Sequence, residues 1–156
     1  MDADDGLSLD AALFDEGEQG EAYNELTPQQ FGSNFRDTPV DIVGQGDAVG
    51  WIDNGEWLEY TINVEQAGSH TLSFVTSGPN GGRSITASLE QDGSVYEQGS
   101  VATPVTSDWG VFVDTAAMTL DLEAGVHNES KAGLGVNPYV YIGMKLHFQT
   151  PDRALF

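Results

Sequence analysis

GWIDNGEWLEYTINV, residues 50–64, decides the fold. From Trp57 onward it alternates: Leu58, Tyr60, Ile62 and Val64 point one way, and Trp57, Glu59, Thr61 and Asn63 the other. An apolar residue at every second position is the pattern of a strand with one face on a core and one face polar. The sequence on the C-terminal side repeats the theme. EQAGSH (65–70) is a turn leading into HTLSFVTS (70–77), rich in β-formers. GPNGG (78–82) is a turn signal, and SITASLEQ with DGSVYEQ reads as a hairpin around Asp92-Gly93. WGVFVDTAAMTLDL (109–122) holds two short strands, LEAGVHN (122–128) turns into another, and YVYIGMKLHF (139–148) closes the set. No long stretch carries an apolar period of 3.6 residues; TPQQF (27–31) is the one candidate helical turn. Many short strands with regular turn signals predict an all-β chain, a β-sandwich with jelly-roll topology.

Residues 1–7 (MDADDGL) read as an acidic tail, 8–149 as one domain, and 150–156 as a second tail or linker stub. A length of 156 residues fits one domain with a sizeable core, and an apolar fraction of 39% fits a globular chain. No run reaches the roughly 18 apolar residues of a membrane span. Cysteine is absent, which excludes disulfides, thiol catalysis and cysteine-held zinc. With 25 acidic residues against 5 basic ones the net charge is −20. Such a surface repels a phosphate backbone and an anionic lipid leaflet, so neither nucleic acid nor membrane is an expected partner. Polyanionic sugars are disfavoured for the same reason, and a neutral ligand suits the charge best. The acidity also serves solubility.

Trp57 lies on the polar face of its strand beside Glu59 and Thr61. A flat aromatic among polar groups can cover the C–H face of a pyranose ring while its neighbours take the hydroxyls. It can equally pack under a loop. Trp51 and Trp109 fall near strand ends, where sandwich loops gather, so two rings could flank one sugar or each plug the core. Carboxylate pairs such as Glu56/Glu59 and Asp53/Glu56 are numerically available for a glycosidase, whose two carboxyls stand about 5–9.5 Å apart. In so acidic a chain, however, close pairs arise by chance. His70, His127 and His147 are dispersed without metal-ligand spacing. The acidic run DEGEQGEAYNE (15–25) has the oxygen chemistry of a calcium site but no EF-hand spacing, and reads as a solvated loop.

VGWIDNGEWLEYTINV (49–64) with EQAGSHTLSF (65–74) resembles the family 6 carbohydrate-binding modules found beside glycoside hydrolases. That family's pattern is Gly, an aromatic, then I-D-x-G-[DE]-W-x-E-Y-x-[VI]-x-V. The resemblance extends upstream through FDEGEQGEAYNELTPQQFGSNFRDTPVDI (14–42) and downstream through TSDWGVFVDTAAMTLDLEAGVHN (106–128). It covers residues 9–148. It implies a jelly roll with two candidate sugar sites. In the loop site Trp51 and Trp109 sandwich a sugar, with Asn24, Glu25, Asn137 and Tyr139 around it. In the second, on a sheet face, stand Trp57 and Glu59. The resemblance also implies a non-catalytic module of agarase or β-glucanase type. It would be secreted, attached to a catalytic domain in the same parent chain, and would take a neutral agarose, β-glucan or xylan.

This sequence departs from the pattern at two places. The last strand's usual sugar-binding Asn and late acid are replaced by Ile142 and Met144, which leaves Asn137 in the preceding loop as the substitute. The structural calcium that the resemblance implies takes carboxylates from an E-A-E step; here that start reads Leu9-Asp10-Ala11-Ala12, so only Asp10 survives and no cofactor is expected to be required. The polar run HNESKAGLG (127–135) stands where an apolar strand is usual. These departures favour an alternative, a structural or adhesion module of the same fold with lost or altered sugar binding.

Overall fold

A computed structural model describes residues 7–27, 30, 32, 35–46, 48–53, 55–64, 67–79, 83–91, 94–134 and 141–149. In chain order the strands are β1 (Leu7–Leu9), β2 (Tyr23–Asn24), β3 (Ile42–Val43), β4 (Ala48–Val49), β5 (Glu56–Val64) and β6 (Gly68–Ser77). They continue with β7 (Ser84–Gln91), β8 (Ser94–Ala102), β9 (Val113–Asp114), β10 (Met118–Leu122), β11 (Gly125–Leu134) and β12 (Tyr141–Gln149). No helix occurs among the described residues, and Thr27 and Gln30 of the candidate helical turn are irregular. Two antiparallel sheets result. One has seven strands, in order β10-β6-β12-β4-β3, with β1 also on β12 and β9 on β6; the other runs β2-β5-β11-β7-β8. The all-β sandwich expectation holds.

The alternation of the opening segment is the reason the sheets pack. Leu58, Tyr60, Ile62 and Val64 are buried, as are Leu72 and Phe74 of β6, Ile85, Ala87 and Leu89 of β7, and Met118, Leu120 and Leu122 of β10. They form one cluster between the sheets. β7 and β8 pair in register from Ser84↔Ala102 to Gln91↔Ser94, as the predicted hairpin requires, and its turn at Asp92-Gly93 lies outside the described residues. The polar run 127–134 forms β11, the centre of its sheet, paired with β5 on one side and β7 on the other. Ala132 is level with Leu58 and Ala87, and Ser130 with Tyr60 and Leu89. The pairing with β5 shifts register between His127 and Ser130.

The acidic run 15–25 is more than a solvated loop. Its chain lies along the free edge of β5, where Asp15 N–H donates to the Glu59 carbonyl (2.8 Å) and Glu59 N–H to the Ala22 carbonyl (2.9 Å). The Asp15 carboxylate accepts from Thr61 N–H (3.0 Å) and Thr61 Oγ1 (2.6 Å). Arg36 fastens the preceding turn. It donates to the carbonyls of Ala12 (3.2 Å), Phe14 (2.6 Å) and Asp15 (3.4 Å), and its guanidinium lies 3.8 Å from the Phe14 ring centre. The Tyr60 hydroxyl donates to the Ala11 carbonyl (2.7 Å), and burial pushes that phenol far above its usual range.

Candidate functional site

Topology brings the chain at Trp51 and at Trp109 to one end of the sandwich. Val49, Ile142 and Thr76 share one row of the first sheet. Both β4 and β6 are antiparallel to β12, so they run the same way and deliver Trp51 and Ser77 to the same end. The chain from Trp51 to Glu56 then crosses at that end into β5. Glu56 pairs with Leu134, the last residue of β11, so the β11–β12 connection starts there too. Asn137 and Tyr139, assigned to that connection, lie outside the described residues.

Trp51 has a positive φ of 49°, alone among the described non-glycine residues. A bulky side chain rarely takes this conformation, which persists only where the surroundings enforce it. Here Gly50 N–H donates to the buried Asp41 carbonyl (2.9 Å), and Ile52 is buried on the other side. The half-buried indole lies over Gly32, whose Cβ, if it had one, would stand 3.3 Å from the ring and 2.3 Å from the Ile42 carbonyl oxygen. Only glycine, at φ +105°, provides that floor.

Trp109 is half-buried in the β8–β9 connection, and buried hydroxyls hold its backbone. Ser77 Oγ lies 2.8 Å from the Trp109 carbonyl and 3.0 Å from that of Asp108, and donates to this pair. Thr106 Oγ1 donates to the Asp108 carbonyl (3.0 Å) and accepts from Gly78 N–H (3.0 Å). Apolar residues flank the ring along the chain: Val105, Val111 and Phe112 are exposed.

Asn24 stands across from Trp57 in the β2–β5 pair, at the seam between the two candidate sites. Its amide nitrogen donates to the Gly55 carbonyl (2.9 Å), and its Oδ1 accepts from Gln19 (2.8 Å). Glu25 follows. Its Oε1 accepts from Thr27 N–H (3.1 Å) and Thr27 Oγ1 (2.7 Å), and its carboxyl meets that of Glu56. Glu56 is only 5% exposed, because it falls in the inward register of β5 with Leu58 and Tyr60. Its Oε1 accepts from Leu26 N–H (3.1 Å) and its Oε2 from Asp53 N–H (2.8 Å). Burial above all, then the hydrogen bond and charge of Glu25, push its carboxyl up to about 8, against the opposing pull of the Asp53 and Leu26 amides.

The Glu56/Glu59 pair does not make a glycosidase dyad. By strand alternation Glu56 and Glu59 point to opposite faces of β5. Sequence reasoning weighed Glu56 only as half of a chance pair. Its inward parity, even-numbered like Leu58, was the signal that sets it apart. Gly32 and Ser77 carried no such signal, since their roles depend on chain segments distant in sequence.

The second candidate site is a row across the other sheet. Asn24, Trp57, Gly133, Thr86 and Ser100 stand side by side in register. Trp57 is half-buried on the face opposite Leu58, and Thr86 and Ser100 hydroxyls share a 2.7 Å hydrogen bond. Gly133 brings no side chain against the Trp57 ring. Glu59, on the same face, is 8% exposed, since segment 15–22 runs beside it, and it is in register with Lys131.

Asp10, the remaining acid of the implied calcium set, is exposed. The carbonyls near it, of Ala12, Phe14 and Asp15, already face the Arg36 cation. Among the described residues no three His, Cys, Asp or Glu side chains cluster to hold a metal. An arginine cation at these carbonyls disfavours a calcium ion beside them.

Residues 29–130 match the family described as carbohydrate binding module (family 6). The fold is similar to that of the family 6 module of lichenase 5A from Cellvibrio mixtus, solved with cellotriose. The TM-score is 0.65 and the identity 23%, over 94% of this chain and 98% of that one. A module from Clostridium stercorarium solved with cellobiose matches at TM-score 0.63 and 15% identity, over 94% and 95%. A β-1,3-glucan binding module from Bacillus halodurans matches at 0.61 and 17%, over 94% and 97%. No curated protein matches the sequence. The chain thus belongs to the family 6 carbohydrate-binding modules, a family of non-catalytic sugar binders.

Proposed function

We propose that this module binds a neutral polysaccharide of the agarose, β-glucan or xylan type and holds a secreted polysaccharide-degrading enzyme on it. The observation that carries this reading is the delivery of Trp51 and Trp109 to one end of the sandwich, Trp51 in a strained conformation enforced by its neighbours. The two indoles stack on sugar faces. Glu25, Asn137 and Tyr139 take hydroxyls, with Asn24 at the margin. Trp57 and Glu59 form a second, weaker site, favoured by the row that places Asn24, Gly133 and Thr86 beside the ring. Tethering to a glycan raises the local substrate concentration for an attached catalytic domain. Affinity in the range of about −4 to −8 kcal/mol, millimolar to micromolar, suits a shallow site with few hydrogen bonds. Calcium plays no part in this reading; Arg36 fastens the N-terminal turn instead.

The test is a binding screen of the wild-type chain against agarose, laminarin, xylan and cellulose. Trp51→Ala and Trp109→Ala are each expected to weaken binding at least about tenfold, 1.4 kcal/mol. Binding to none of the four would favour the adhesion reading, and undiminished binding by the double variant would remove the loop site.

A further inference from the structure

The loop after β2 and the turn before β5 are far apart in sequence, yet one buried side chain joins them. Glu56 accepts the Leu26 amide on one oxygen and the Asp53 amide on the other, and its carboxyl meets that of Glu25. The Asn24 amide reinforces the junction by donating to the Gly55 carbonyl. The loop holds Glu25, and the turn follows Trp51 directly, so this junction sets the position of a hydroxyl-binding carboxyl relative to a stacking ring.

We propose that Glu56 is a positioning residue of the loop site, tying the loop that carries Glu25 to the turn that follows Trp51 through its two amide hydrogen bonds. This rests on the reading of Glu25 as part of a sugar site. Once Glu56 ionises, it meets the neighbouring Glu25 as a like charge. The titratable neighbour of Glu56 is Glu25 from the loop, and from the turn Glu56 meets the Asp53 backbone amide. Across the sheet its register partner is Leu134, which does not titrate. The Glu56 proton is held well above the ordinary carboxyl range, up to about 8, so the junction is closed at neutral pH. Above that range the Leu26 and Asp53 amides still hold Glu56, now as a carboxylate, and repulsion displaces the Glu25 side chain.

The experiment follows the backbone amide NMR signals of Leu26, Thr27 and Asp53 from pH 6 to 9.5, without sugar. The wild type is expected to show one shared midpoint near pH 8. Glu56→Gln, which cannot ionise and keeps one of the two acceptors, is expected to show none. In Glu25→Gln the midpoint falls by at least about one unit, as a neutral donor replaces a charged neighbour. No titration in the wild type, the same titration in Glu56→Gln, or an unmoved midpoint in Glu25→Gln overturns the proposal. In a second arm, laminarin affinity is measured at pH 6.5 and 9.5. A fall of at least about threefold in the wild type but not in Glu56→Gln supports positioning; an equal fall in both overturns it. Absence of laminarin binding at pH 6.5 counts against the sugar-site reading for that glucan, while the amide titration still decides the role of Glu56.

Discussion

At φ 49° the Trp51 backbone holds a conformation that a side chain with a Cβ takes at a cost. That cost is separable from the ring. Trp51→Gly and Trp51→Ala both delete the indole, but only alanine keeps the strain. Trp51→Gly is therefore expected to be the more stable of the two by about 1 kcal/mol in urea unfolding. Equal stability would show that the neighbours do not enforce the positive φ. Ser77 is the comparable residue under Trp109. It is fully buried and out of a ligand's reach, yet its hydroxyl holds the Asp108 and Trp109 carbonyls. Ser77→Ala is expected to weaken glycan binding severalfold and to cost about 1 kcal/mol of stability. Unchanged glycan affinity in a calorimetric titration would show that the loop needs no such anchor.

Among the elements, the edge of β5 has the most at stake in single side chains. Asp15 uses its carboxylate to satisfy the Thr61 amide where no strand is paired. Asp15→Ala is expected to cost about 1–2 kcal/mol, read as a lower urea midpoint with an unchanged slope. The turn that Arg36 grips supplies the test for calcium. A chelator is expected to leave the melting temperature unchanged, whereas Arg36→Met lowers stability by about 2–3 kcal/mol through three carbonyls left without their charged donor. A large loss of melting temperature in chelator would contradict this account. Legibility varied along the chain for reasons visible in these elements. β5 could be read from Leu58 to Val64 because apolar alternation is a local signal. β2, β3, β4 and β9 are two residues each, too short for any periodicity. β11 was obscured because its place in the sheet rests on two partners, β5 and β7, that are distant in sequence. The candidate site divides the same way. Trp51, Trp57 and Trp109 stood out as aromatics near strand ends or on a polar face. The strained backbone, the Gly32 floor and the Glu25–Glu56 contact are long-range arrangements that no local pattern announces.

For the whole molecule, charge sets the response to solution conditions. A net charge of −20 repels itself, so added salt is expected to raise the melting temperature while leaving affinity for a neutral glycan nearly unchanged. Loss of affinity with salt would point to a charged ligand. Glu56 adds a pH term of known sign. Its carboxyl is raised from 4.5 to about 8 in the fold, so between these values the folded state holds a proton that the unfolded chain has released. Stability from this group is full below pH 4.5 and is lost as pH rises towards 8, by up to a few kcal/mol. The slope is expected to be absent in Glu56→Gln, measured by urea unfolding across this range. The central claim is that sugar is held between Trp51 and Trp109 at the loop end of the sandwich. The chain has three tryptophans, each with its own indole N–H signal. The most direct measurement is to titrate the 15N-labelled chain with the glycan selected by the screen and watch those three signals. Trp51 and Trp109 are predicted to shift together at the lowest glycan concentrations, with Trp57 following only at higher ones. A titration in which Trp57 alone responds, or none does, would contradict the account.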